Sequence, residues 1–255
     1  MSNHKAILLA SLLASALAIP ALSRGQASAA DHFARGKELV EENCIDCMGG
    51  TREGEEEAIR ELEMALQQHY EEPIEGYKLL AEAYANMSTY VQKKSESESR
   101  RFWDKRNAVY RQLYQLAPND PEVLTDYAET LKDANEKIAI YRKILTLKPR
   151  DSAARFDLGE LLLKQDNMKD GLAEVKQALA SESDPEAFEN HTQRLIGALA
   201  QHGCPLQNSK ELSFEAQKAE AAATYKEGDP KPMAALKDKL RAELDQHTCA
   251  TGAAK

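Results

Sequence analysis

Glycine and proline are scarce in this chain, 12 and 9 of 255 residues, and valine and isoleucine seldom run together. Strands need β-branched residues within them and turn chemistry between them. Little room is left for a sheet, and an almost wholly helical protein is expected. Positive charge is also short: 33 Lys and Arg stand against 42 Asp and Glu, a formal charge of -9. An acidic surface repels phosphate, which argues against nucleic acid as a partner. The catalytic signatures H-E-x-x-H, G-x-S-x-G, the Walker loop and the dinucleotide fingerprint are all missing. No enzyme activity, cofactor or metal is therefore expected.

Beyond residue 29 no segment is apolar enough to cross a bilayer. The one long apolar run, residues 6–22, follows Lys5 and is itself followed by the small-residue pattern Ala27-Ser28-Ala29. Seventeen residues are short for a membrane span, which needs about 20. Residues 1–29 read as a secretory signal peptide. Loss of Lys5 and Arg24 with it takes the formal charge from -9 to -11. The mature chain is expected in the periplasm or secreted, without stable membrane insertion.

What is present is periodicity. Residues 152–179 carry Leu158-Gly159, Leu162, Gly171, Val175 and Ala178-Leu179. Large residues three or four apart make one apolar stripe per helix, and small residues opposite let two helix backbones approach closely. This segment resembles a tetratricopeptide repeat, whose period is about 34 residues. Tyr77, Leu80, Ala81 and Tyr84 occupy the same slots earlier in the chain, as do Leu124, Tyr127, Ala128 and Leu131. The resemblance implies an all-α solenoid of antiparallel helix pairs, each burying its stripe only against the next.

Four regions follow. Residues 1–29 are the leader, 30–72 a first irregular repeat with a Cys-x-x-Cys loop, 73–182 regular repeats and 183–255 a helical cap ending in a hairpin. Within the second repeat the polar run 93–101 is expected as a solvated helix end or loop, with a helix resuming near Phe102. Pro118 and Pro149 are 31 residues apart. The three residues missing from the period are placed at 132–134, where Asn135 is expected to cap the shortened helix. The cap is expected as helices over 186–201, 209–225 and 232–246.

Cys44 and Cys47 sit in the loop of the first repeat. The run 36–49 resembles the haem-attachment segment of class I cytochromes c, with Met48 where that family has its axial histidine. A loop disulfide, a redox dithiol and a haem link all remain open for this pair. His202-Gly-Cys204 and His247-Thr-Cys249 form two H-x-C pairs. A hairpin of equal helices would bring Cys204 beside Cys249, as a disulfide or, with the two histidines, a zinc site.

The repeat resemblance also implies where a ligand would lie, because the concave face of that family is lined by fixed slots on the first helix of each pair. Here those slots are Glu82, Glu129 and Glu160, with neighbours Lys78, Thr125 and Phe156. Such a column of carboxylates would favour a basic or amide-rich peptide. The expected function is an extracytoplasmic, non-catalytic scaffold binding a protein or peptide partner. The alternative is a thiol-redox or haem-handling factor in c-type cytochrome assembly that uses Cys44 and Cys47.

Overall fold

The computed structural model describes residues 27–42, 51–225 and 231–247. Among them are eleven helices and no strand. They are α1 (Ala29–Glu42), α2 (Arg52–Gln67), α3 (Pro73–Gln92), α4 (Glu96–Leu116), α5 (Pro121–Thr130), α6 (Ala134–Leu147), α7 (Ser152–Lys164), α8 (Met168–Ser181), α9 (Pro185–Gln201), α10 (Ser209–Tyr225) and α11 (Lys231–Gln246). Residues 1–26 of the leader, Cys44, Cys47 and Cys249 lie outside the described residues. No described helix is long and apolar enough to cross a membrane.

The helix starts follow from side chains that can accept the orphan N–H groups of a first turn. Asp120, Asp133, Asp151 and Asp184 each cap the helix that follows, and proline opens α3, α5 and α9. Two local expectations are corrected. Residues 96–101 are helical, because Ser95 Oγ accepts from the Glu98 N–H at 3.2 Å and starts α4 a turn and a half early. Glu96 and Glu98 then fall in the first turn, where the helix dipole favours them. Asp133 rather than Asn135 caps α6, accepting from the Glu136 N–H at 2.9 Å. Asn135 instead accepts from Gln165.

Neighbours in sequence are neighbours in space. The pairs α1/α2, α3/α4, α5/α6 and α7/α8 pack together, and α2, α4 and α6 each pack on the helix that follows. Helices α7 and α8 approach closely at a pair of glycines. A Cβ placed on Gly159 would meet Val175 Cγ2 at 2.7 Å and the Gly171 carbonyl oxygen at 2.9 Å, and one on Gly171 would meet the Gly159 carbonyl oxygen at 2.9 Å. The two glycines permit each other's helix, as the Leu-Gly slot requires.

Apolar burial falls into three clusters rather than one. The first joins α1 to α4 with Val123, the second α5 to α7, and the third α7 to α11. Helix α7 divides its side chains between two of them, Leu158 facing back and Phe156 forward. Adjoining hairpins are stitched by aromatic contact: Tyr114 of α4 stacks on Tyr127 of α5 with ring centroids 4.2 Å apart. At the far end α11 lies against α8 and α10.

Candidate functional site

The six slots proposed for a binding face sit on α3, α5 and α7, and their side chains meet different fates. Glu82 is exposed. Lys78 reaches across to α5, where its Nζ lies 3.0 Å from Glu122 and 3.5 Å from Asp120. Thr125 turns its hydroxyl back onto the Pro121 carbonyl oxygen at 2.9 Å. Phe156 is fully buried, stacked on His191 at 4.2 Å with the Arg194 guanidinium 4.8 Å from its ring. It supports the face from beneath rather than lining it.

Glu129 and Glu160 share a slot and differ in surroundings. The Glu129 side chain is 53% exposed and accepts from Arg106 Nη2 at 3.3 Å. That of Glu160 is only 15% exposed, bonded to Arg194 and to Lys164 at 3.0 Å. Burial alone would raise the Glu160 carboxyl, and the Arg194 and Lys164 bonds outweigh it, holding the pKa below the ordinary value. The same exchange holds Arg194 above its own, with Asp157 as its second partner at 2.7 Å.

Beside this column runs a second one that the slot pattern did not anticipate. Asp126 and Asp157 lie one turn before Glu129 and Glu160, and each faces a buried tyrosine of the preceding helix, Tyr110 and Tyr141. Burial, and then the Asp126 carboxylate, pushes Tyr110 up to about 12. Burial together with Glu129 raises Asp126, against the pull of Arg106. The signal was present in the sequence, since Tyr110/Tyr141, Asp126/Asp157 and Glu129/Glu160 all repeat at the 31-residue spacing of Pro118 and Pro149. Arg194 carries no such mark, whereas Arg106 is matched at that spacing by Lys137. Arg106 lies between the Trp103 and Tyr110 rings, 4.4 and 4.6 Å from their centroids.

The carboxylate column is thus a mixed-charge face. Lys37 of α1 lies 3.3 Å from Glu75 of α3, Lys78 of α3 bridges to α5, and Arg194 of α9 bridges to α7. Glu82 and Glu129 are the acidic slots open to solvent.

At the other end Cys204 is a half-cystine rather than a free thiol. Its expected partner, Cys249, is outside the described residues. His247 Nε2 lies 3.1 Å from Cys204 Sγ, whereas His202 turns away to Asp166, also at 3.1 Å. Among the described residues no group of three or more His, Cys, Asp or Glu is placed to hold a metal ion. Cys44 and Cys47, with the redox and haem readings that depend on them, are likewise outside the described residues.

No protein-family model matches the chain, and no curated protein matches it.

Proposed function

We propose that the chain is an extracytoplasmic scaffold of the tetratricopeptide type, whose helix pairs stack as a solenoid and hold a protein or peptide partner without chemistry. One observation carries the reading: the same structural role recurs after 31 residues. Asp120 and Asp151 cap equivalent helices, Tyr110 and Tyr141 face equivalent aspartates, and Glu129 and Glu160 follow one turn later. Side chains repeating at that spacing present a periodic row to an extended ligand. Because the row is held by inter-helix ion pairs and stacked rings, a partner would be bound without ordering the scaffold first.

Glu82 and Glu129 are the row's accessible acids, so the partner is a basic or amide-rich segment. Export rests on the leader at residues 1–29. The test is a photo-crosslinking residue at position 125, compared with one on the far side of α6, in cells expressing the full chain. A specific adduct at 125 should vanish in the Glu82→Lys, Glu129→Lys double variant while its thermal unfolding stays unchanged. An adduct that survives the double variant refutes the groove.

A further inference from the structure

A cleft of about 240 Å³ opens between α8 and α11 and shares no lining residue with the face just described. It exists because two small side chains, Ala180 and Ala234, stand along the seam where larger ones would close it, over a floor that includes the buried Leu240. An apolar slot of this shape gains from an aliphatic occupant and offers nothing to a polar one. Its rim is chemically distinct from the floor. Lys237 and Arg241, one helical turn apart on α11, both border it.

Among the described residues neither cation is paired with a close carboxylate. Lys237 donates its Nζ to the Glu182 backbone carbonyl, and it lies 5.5 Å from the Phe188 ring centroid. The Glu182 carboxylate is engaged elsewhere, by Ser152 Oγ at 2.8 Å and by the N–H groups of Ser183 and Asp184 at 2.9 Å each. Burial holds the Lys237 ammonium below the usual lysine range, against the pull of Glu182, so an anion placed there would restore what solvent has lost. Arg241 is exposed and senses Asp245, but Asp245 is paired to Lys176 at 2.8 Å. Asp238 is the carboxylate lining the cleft beside these cations. In a chain of formal charge -9, an apolar slot with two under-compensated cations at its lip is built for one chemistry.

We propose that the α8–α11 cleft binds a medium-length alkyl carboxylate, its chain along Ala180 and Ala234 and its head on Lys237 and Arg241. The site is independent of the peptide-binding face and stands or falls separately from it. A longer chain buries more methylenes in the slot, and a neutral or cationic head forfeits the lip.

The test is calorimetric titration of the mature full-length chain with hexanoate, octanoate, octanol and octylammonium at low salt. Octanoate should bind one-to-one, about tenfold tighter than hexanoate, and octylammonium at least tenfold more weakly. Ala234→Leu should abolish binding with an unchanged melting curve. Arg241 is exposed, so Arg241→Gln should leave the melting curve unchanged while removing the preference for carboxylate over alcohol. No saturable binding up to about 10 mM ligand, or equal binding of carboxylate and alcohol by the unaltered chain, overturns the proposal. So does a change of oligomeric state in Ala234→Leu without any octanoate binding to the unaltered chain, which would assign the cleft to a second copy.

Discussion

Glu55 gives the sharpest quantitative test of the packing. It lies in the first turn of α2, 2% exposed, and neither carboxylate oxygen has a hydrogen-bond partner. The amide nitrogen of Asn86, on α3, is also buried and unsatisfied. Burial pushes the carboxyl from an ordinary 4.5 up to about 7; Asn86, close by without a well-formed bond, pulls it down, and Glu82 pushes it further up. Between those two values the native state holds a proton that the unfolded chain has released. The contribution to stability is therefore complete below pH 4.5 and is lost as pH rises through 7. The displacement corresponds to at most about 3 kcal/mol, and relaxation with water penetration reduces it to about 1–3 kcal/mol. Urea unfolding of the wild type and of Glu55→Gln, run from pH 5 to pH 8, isolates this group because the other titrations cancel in the difference. The variant should be near-neutral at pH 5 and more stable than wild type by about 1–3 kcal/mol at pH 8. Curves that stay parallel over this range, or a variant weaker at pH 8, would refute the reasoning.

Four further outcomes follow from helix packing, ion pairing and capping. Gly159→Ala should lose about 2 kcal/mol in urea unfolding despite its better helix propensity, because backbone atoms of α8 block the new methyl. Gly197→Ala in α9 meets nothing within 4 Å and should gain about 0.5–1 kcal/mol. Arg194→Met strands Asp157 and Glu160 and should cost about 3 kcal/mol at pH 7. That deficit should shrink toward pH 4 in the same assay, as Glu160 protonates in the variant, which lacks the Arg194 bond that holds its pKa down. Asp133→Ala should cost about 1 kcal/mol by removing the α6 cap, whereas Asn135→Ala, which loses an exposed bond to Gln165, should cost less than half as much in thermal unfolding.

The helical class and most helix boundaries were legible because they depend on local chemistry. Proline at the start of α3, α5 and α9, and the apolar spacing in α7 and α8, can be read within one turn of chain. The start of α4 was missed for the same reason in reverse. Lys93 to Arg101 looks like solvated loop by polarity, yet Ser95 followed by Glu98 is a capping arrangement, and Arg52 of α2 anchors Glu98 at 2.6 Å. Nothing within the run reports the arginine 46 residues away. Phe156 failed as a groove residue by the same logic. Its slot on α7 is set by period, but its burial is set by His191 and Arg194 of α9, a helix outside the regular repeat.

That distinction decides which acidic slot can act on a partner. Repeat spacing places carboxylates, but Arg194, the cation that meets two of them, stands at a position with no charged counterpart at that spacing. Arg194 closes on both Asp157 and Glu160 and holds Glu160 ionised and committed to the α7–α9 contact. Arg106 touches Glu129 only at 3.3 Å while its plane is occupied by Trp103 and Tyr110, and the Glu129 side chain stays half exposed. A basic ligand would therefore compete for Glu129 against one long pair to a half-exposed carboxylate, whereas at Glu160 it would have to break a part-buried carboxylate's bonds to both Arg194 and Lys164. Glu129→Lys alone should abolish most of the partner adduct and leave stability within about 0.5 kcal/mol. Glu160→Lys should instead unfold the α7–α9 interface, lowering stability by about 3 kcal/mol. If both variants lose the adduct and neither loses stability, the two carboxylates are equivalent and the ion pairs drawn between α7 and α9 do not govern the face.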